Sequence, residues 1–215
     1  MNQLSPQNDL VVLAADKSAE MALRGILSRP EALEIRPVSA EFIVHPEHDP
    51  GCVRTPHQFL RSYVRSHAHA IVVLDREGSG REAKTRAELE QEIEGLLACN
   101  GWLSRSAVIV LDPELETWVW SDSPEVDAQL GWTGRQPDLR TWLRQKGFLS
   151  PDAAKPKRPK ETMQAALYEV RLPWSSSIHG QLAGRVSFRR CTDPSFEKLR
   201  TTLQRWFSKS QSDRA

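Results

Sequence analysis

Four apolar runs punctuate the chain: Asp9 to Ala15, Leu33 to His45, Ala70 to Leu74 and Ser106 to Leu111. The first, third and fourth are nearly continuous and rich in β-branched residues. That is the pattern of strands buried on both faces, as in a parallel sheet. The second alternates loosely through Leu33, Ile35, Val38, Phe42 and Val44, and Pro37 puts it near an edge or at a bulge. Helical spacing fills the gaps. Ala19, Leu23, Ile26 and Leu27 share one face and stop before Pro30. After a loop from His45 to Cys52, Thr55-Pro56-His57-Gln58 predicts a helix start, with Thr55 as N-cap, Pro56 in the first turn and Gln58 closing a capping box. Phe59, Leu60, Tyr63, Val64 and His67 then form its stripe. A third helix carries Leu89, Ile93, Leu96 and Leu97. Ser79 and Glu82 predict its start and Asn100-Gly101 its end. The order β-α-β-α-β-α-β predicts an α/β fold, a mostly parallel sheet with flanking helices and right-handed crossovers.

Beyond Asp112-Pro113 the pattern becomes helical and irregular. Leu115 to Trp120 and Leu139 to Leu143 read as short helices, the second stopping at Gly147. Ala153 to Lys160 is a basic, proline-rich linker. Thr162 to Val170 reads as a helix. Asp193-Pro194 opens a last one, with Phe196, Leu199, Leu203, Trp206 and Phe207 on one face. Five of the seven tryptophans (Trp118, Trp120, Trp132, Trp142 and Trp174) fall between residues 115 and 175. The expectation is an α/β core over residues 9–122 and a helical C-terminal extension over 123–215, packed on the core and held there by the tryptophans.

Length and charge narrow the possibilities. A chain of 215 residues, 39% hydrophobic and 27% charged, suits one sizeable core or a core with an appendage. A net charge of +1 gives no global attraction to a polyanion. Nucleic-acid binding would therefore rest on local clusters: Lys155, Lys157, Arg158 and Lys160, then Arg185, Arg189 and Arg190, with Arg200 and Arg205 later. A solvated linker and helix face would look the same. Cys52, Cys99 and Cys191 are scattered and odd in number, which points to a reducing compartment. No apolar run approaches the ~18 residues of a membrane span, and no basic-then-apolar leader opens the chain. The expected location is cytoplasmic.

Acidic residues follow three of the strands: Asp16 and Glu20, then Asp75 and Glu77, then Asp112, Glu114 and Glu116. In a parallel sheet these loops emerge at one edge, where open α/β folds place their sites. Converging carboxylates repel one another unless a divalent ion or a cationic side chain neutralises them. Paired hard oxygen donors suit Mg²⁺ or Mn²⁺. Glu116 is expected within a water-bridged distance of Asp75 or Glu20. The competing explanation is that acids simply suit helix N-termini. His45, Glu47, His48, Asp49, Cys52 and His57 offer zinc-type ligands without the spacing of a four-ligand site. Gly78-Ser79-Gly80 has neither a P-loop ending nor a nucleophile elbow.

Four segments taken together resemble the Toprim fold of topoisomerases, primases and OLD-family nucleases. They are Asp16-Lys-Ser-Ala-Glu20, Asp75-Arg-Glu77 with Gly80, Pro113-Glu-Leu-Glu116-Thr-Trp118 and Asp193-Pro-Ser-Phe196. The similarity is greatest to a small Toprim-like family often encoded beside ATPases and in bacterial defence islands. The resemblance implies a Mg²⁺- or Mn²⁺-dependent nuclease-type phosphodiesterase, or a component of an antiphage system. Asp16, Glu20, Asp75, Glu77 and Glu116 would hold the metal. Glu20, Asp75, Glu77 and Lys17 would be catalytic. Arg76, Lys155, Lys157, Arg158, Arg189 and Arg190 would contact nucleic acid. The implied partners are DNA or RNA and an ATPase or other defence protein, with no membrane. Asp16 stands where that family has Glu, and Lys17 where it has Gly. These departures motivate the alternative, a catalytically inactive Toprim-like binding or assembly protein.

Overall fold

The computed structural model describes residues 7–121 and 123–209, Arg190 by its backbone only. Four strands, β1 (Asn8–Ala14), β2 (Ala40–Val44), β3 (His67–Asp75) and β4 (Ser106–Leu111), form one sheet in the order β2-β1-β3-β4, all parallel. The fold is the α/β class that the apolar runs predict. β1 and β3 lie at the centre because Leu10–Ala14 and Ala70–Leu74 are wholly buried and leave no face for water. β2 lies at the edge, as expected for the second apolar stretch, although Pro37 precedes the strand and is not part of its ladder.

Each sheet face is covered by helices. Leu10, Val12, Ile71, Val73 and Ile109 face a layer made by α1 (Lys17–Leu27), α2 (Pro30–Leu33) and α11 (Pro194–Trp206). Val11, Leu13, Val72 and Val108 face α3 (His48–Arg54), α4 (Pro56–Leu60) and α5 (Arg86–Leu97). The remaining helices are α6 (Glu116–Val119), α7 (Pro124–Gln129), α8 (Leu139–Gln145), α9 (Pro159–Glu169) and α10 (Ser176–Ala183). They enclose a third cluster that includes Trp120, Trp132, Trp142, Met163 and Leu182. Two elements tie this region to the sheet. α11 returns to lie on it, and α10 packs on α1 so closely that a Cβ at Gly25 would sit 2.5 Å from the Gly180 oxygen. That approach carries His179 to the carboxyl edge of the sheet.

Several expectations are corrected. The third helix starts at Arg86, not near Ser79. Gly78 and Gly80 turn at φ 83° and 74°, and Glu82 accepts from the N–H groups of both, at 3.0 and 3.1 Å. The capping box is made instead by Thr85 and Glu88. The loop after His45 contains α3, and the Thr55 hydroxyl bonds to His45 Nε2 at 3.1 Å rather than capping α4. The second extended stretch is shorter than expected: residues 30–33 are helical, and Ile35 forms an isolated bridge with Ser208. α7 and α10 lie in segments without a clear apolar stripe. Of the tryptophans, Trp118 reaches the sheet-facing layer, while Trp120, Trp132 and Trp142 pack among the C-terminal helices. Trp174 remains 39% exposed. No helix among the described residues is long and apolar enough to cross a membrane.

Candidate metal centre

β3 ends at Asp75, opposite Leu111 of β4. The chain leaves β4, turns at Pro113 and starts α6. Leu115 N–H donates to Asp75 Oδ1 at 2.9 Å, pinning the start of α6 to the end of β3. That bond places Glu114 and Glu116 beside Asp75. One oxygen from each of the three lies within 4.8 Å of the others. Glu114 and Glu116 are 6% and 3% exposed, and Asp75 is partly buried.

Each carboxylate is oriented through a named oxygen. Asp75 Oδ1 accepts from Leu115 N–H. Glu114 Oε1 accepts from Lys160 N–H in the first turn of α9, at 2.9 Å. Glu116 Oε1 accepts from Nε2 of the buried His179 at 3.1 Å. Carboxylates held this way present their lone pairs in fixed directions, as metal ligands do. Three hard, convergent oxygens can hold a divalent ion.

The electrostatics describe a crowded acidic centre. Burial pushes the Asp75 carboxyl well above its ordinary value, and Asp49, Glu116 and Asp16 push it further. Burial also raises Asp49, with Asp16 adding to it, although Asp49 Oδ1 accepts from Asp75 N–H at 2.7 Å. Glu114 is raised by burial and by Glu116. Lys160 is the counter-charge. Burial favours its neutral form, but Glu116, Asp75, Glu114 and Asp16 outweigh burial and raise its ammonium above the ordinary lysine value.

The residues expected to form the site are only partly gathered here. Asp75 and Glu116 meet, as the sequence anticipates. Asp16 caps α1, accepting from Ala19 N–H at 2.8 Å, and its charge still reaches Asp75 and Asp49. Glu20 is buried against its own helix, bonded to Lys17 Nζ at 2.8 Å and Arg24 Nε at 2.7 Å. Burial raises its carboxyl, but those two bonds more than offset this and leave it below the ordinary value. Lys17 thus serves Glu20. Glu77 is exposed and outside the triad. Arg76 pairs with Asp112 at 2.8 Å. Lys155 pairs with Asp193 at 3.4 Å, Arg158 with Glu161 at 2.5 Å and Arg189 with Glu34 at 3.8 Å. Lys157 is exposed, and the Arg190 side chain lies outside the described residues.

The zinc-type loop is used structurally. His45 bonds to Thr55 and to the Glu47 N–H, Glu47 pairs with Arg54, and Cys52 is wholly buried with its thiol pushed up by burial. Sequence reasoning did not select four residues of the centre. Glu114 carried a signal, two positions before Glu116. Asp49 was visible only as a zinc-type ligand, and Lys160 only as part of a basic linker. His179 had no signal, since 63 residues separate it from Glu116. In comparisons with protein-family models, curated proteins and solved structures, the chain matches none.

Proposed function

We propose that this protein is a Mg²⁺- or Mn²⁺-dependent phosphodiesterase acting on DNA or RNA. The observation that carries this reading is the triad of Asp75, Glu114 and Glu116 at the carboxyl edge of a parallel sheet, each carboxylate oriented by a protein N–H. These three residues would hold the ion. When bound, it would supply Lewis-acid polarisation of the phosphate and a more acidic water. Lys160, whose ammonium already interacts with these carboxylates, is a positive charge the chain can offer a phosphate oxygen. Asp49, raised by burial and joined to Asp75 through its backbone, is suited to accept the proton of an attacking water. The motif resemblance to Toprim-like proteins supports a role beside an ATPase or other defence protein.

A second reading rests on Lys160 itself. An internal ammonium that balances the acids does the work of a cation, and an inactive binding or assembly protein would retain it. One experiment separates the two. The protein is incubated with labelled DNA and RNA in Mn²⁺, in Mg²⁺ and in EDTA, and Mn²⁺ binding is titrated by calorimetry. The phosphodiesterase reading expects micromolar Mn²⁺ binding and metal-dependent cleavage that Asp75→Ala abolishes. Millimolar or absent binding, or cleavage that survives Asp75→Ala, overturns it.

A further inference from the structure

Past the C-terminal end of α6 lies an open cleft of about 450 Å³, bordered by Trp118, Trp120, Arg140, Arg144 and Lys155. Pockets for small ligands run to about 300–1,000 Å³, so one nucleotide fits this space. Arg140 builds the walls. Its guanidinium donates to Ser121 O at 3.1 Å and to Ala154 O at 3.0 Å, which joins the end of α6 to the linker before α9. Trp118 is partly buried and fixed. Its Nε1 donates to Ser195 Oγ at 2.8 Å, and its ring meets Phe196 edge to face. A tryptophan held this way offers a flat apolar surface that needs no ordering when a ligand arrives.

A run of cations leads from this cleft to the acids. Lys155 lies at the rim, Lys157 is exposed, and Lys160 donates its N–H to Glu114. Pro156 and Pro159 between them are buried, and Trp120 Nε1 donates to Pro159 O at 3.0 Å, which fixes the segment along the end of α6. Five residues of chain span at most about 18 Å. Lys155 and Lys160 are therefore no more than about five phosphates apart at the ~3.4 Å spacing of one B-form strand. Lys155 is shared with Asp193 at 3.4 Å, whereas Arg144 and Lys157 have no acidic partner among the described residues. Cations in line with a fixed aromatic ring suit a single strand, where backbone charge and base stacking add. A duplex keeps its bases stacked inside and would use the cations alone. In a chain of net charge +1, so few cations hold a duplex weakly.

We propose that this cleft takes one unstacked base of a single-stranded nucleic acid against Trp118, while Arg144, Lys155 and Lys157 contact the phosphates that lead to the acidic centre. The binding site stands on the cleft and its cations. That the bound strand is the substrate rests on the phosphodiesterase reading, which it sharpens from nucleic acid in general to single strands.

The test measures binding by the whole chain in EDTA, where no metal-dependent cleavage occurs. The probes are fluorescein-labelled DNA and RNA strands of about twelve nucleotides, their duplexes, and an abasic strand of the same length. Fluorescence anisotropy is expected to show a single strand binding at least about tenfold more tightly than its duplex. The abasic strand keeps every phosphate and should bind at least about fivefold more weakly than the intact one, as stacking is lost. The double variant Arg144→Gln with Lys157→Gln changes two exposed side chains and keeps the fold. It should weaken strand binding and reduce the slope of log affinity against log salt by about 1.4, two phosphate contacts at ~0.7 each. Duplex binding as tight as that of the single strands, equal affinity for intact and abasic strands, an unchanged slope in the double variant, or no strand binding at all each overturns the proposal. Those results leave the phosphodiesterase reading to the Mn²⁺ titration and the Asp75→Ala cleavage assay, and strand binding that passes every test without cleavage in Mn²⁺ sinks that reading alone.

Discussion

Behind β1, two acids leave the sheet into a helix that neutralises one of them locally. Glu20 finds Lys17 three residues back and Arg24 four residues on, at 2.8 and 2.7 Å, while Asp16 caps the helix. Behind β3 and β4, Asp75, Glu114 and Glu116 leave the same edge and crowd within 4.8 Å of one another. Their balancing ammonium, Lys160, comes from a helix more than forty residues away in sequence. The residue types are the same, and the outcome is opposite. Glu20 is held below the ordinary carboxyl value because two cations outweigh its burial, whereas burial and neighbouring acids push Asp75 well above it. An acid at a strand end is thus a structural residue when its cation lies one helical turn away. It is a candidate ligand when the nearest acids are closer than the nearest full neutralisation.

The largest expected difference between the two exits is in metal affinity. Asp75→Asn should weaken Mn²⁺ binding by about 100-fold or more, and Glu114→Gln or Glu116→Gln by at least about tenfold, by analogy with the 10–100-fold losses seen when metal sites lose supporting groups. Glu20→Gln should leave affinity unchanged. Calorimetric titration decides, and a Glu20→Gln variant as impaired as Glu116→Gln would merge the two exits into one site.

Next in size is the response to pH in metal-free buffer, where the two exits should have opposite signs. Asp75 is raised above its ordinary value of 3.8, so the folded state binds its proton more tightly than the unfolded chain does. Its contribution to stability is fully present below that value and is lost as pH rises through the raised one. Asp75→Asn should therefore melt progressively higher than wild type as pH rises towards neutrality in EDTA. Each kcal/mol gained is worth about 2–4 °C in a chain of this size. Glu20 is lowered from 4.5, so its contribution is present above that value and fades as pH falls through the folded one. The melting deficit of Glu20→Gln should accordingly shrink on acidification. Melting curves for both variants across the acidic range give the comparison, and slopes of the same sign would contradict it.

At neutral pH, Glu20→Gln should cost about 1 kcal/mol, since its two partners are half-exposed and lose only part of their interaction. Denaturant unfolding at constant m-value measures this. The smallest expected effect belongs to Lys160→Met. Removing the internal ammonium should lower metal-free stability slightly and tighten Mn²⁺ binding by roughly threefold to tenfold, as the competing charge disappears. Weaker binding in that variant would mean that Lys160 supports the ion's site rather than substituting for the ion.

Much of the fold was legible in short stretches. The apolar runs at Leu10–Ala14 and Ala70–Leu74 marked the central strands. The start of α5 was not decided locally, because Ser79-x-x-Glu82 and Thr85-x-x-Glu88 are the same capping signal. The left-handed turns at Gly78 and Gly80, which take the Glu82 carboxylate, decided it. Asp75 and Glu116 were legible as acids at strand exits, and the choice between Glu77 and Glu114 was not. Leu115 N–H bonding to Asp75 turns Glu114 inward, while Glu77 points to solvent.

By itself, then, the sequence determined the strands, the parallel order of elements and the edge at which the acids collect, because those follow from hydrophobic period and connection length. Which acids face one another, and which cation answers them, was decided only by tertiary structure. Desolvation and Coulomb energies depend on distances in space. Lys160 and His179 reach the centre through the packing of α9 and of α10 on α1, and no local spacing encodes that.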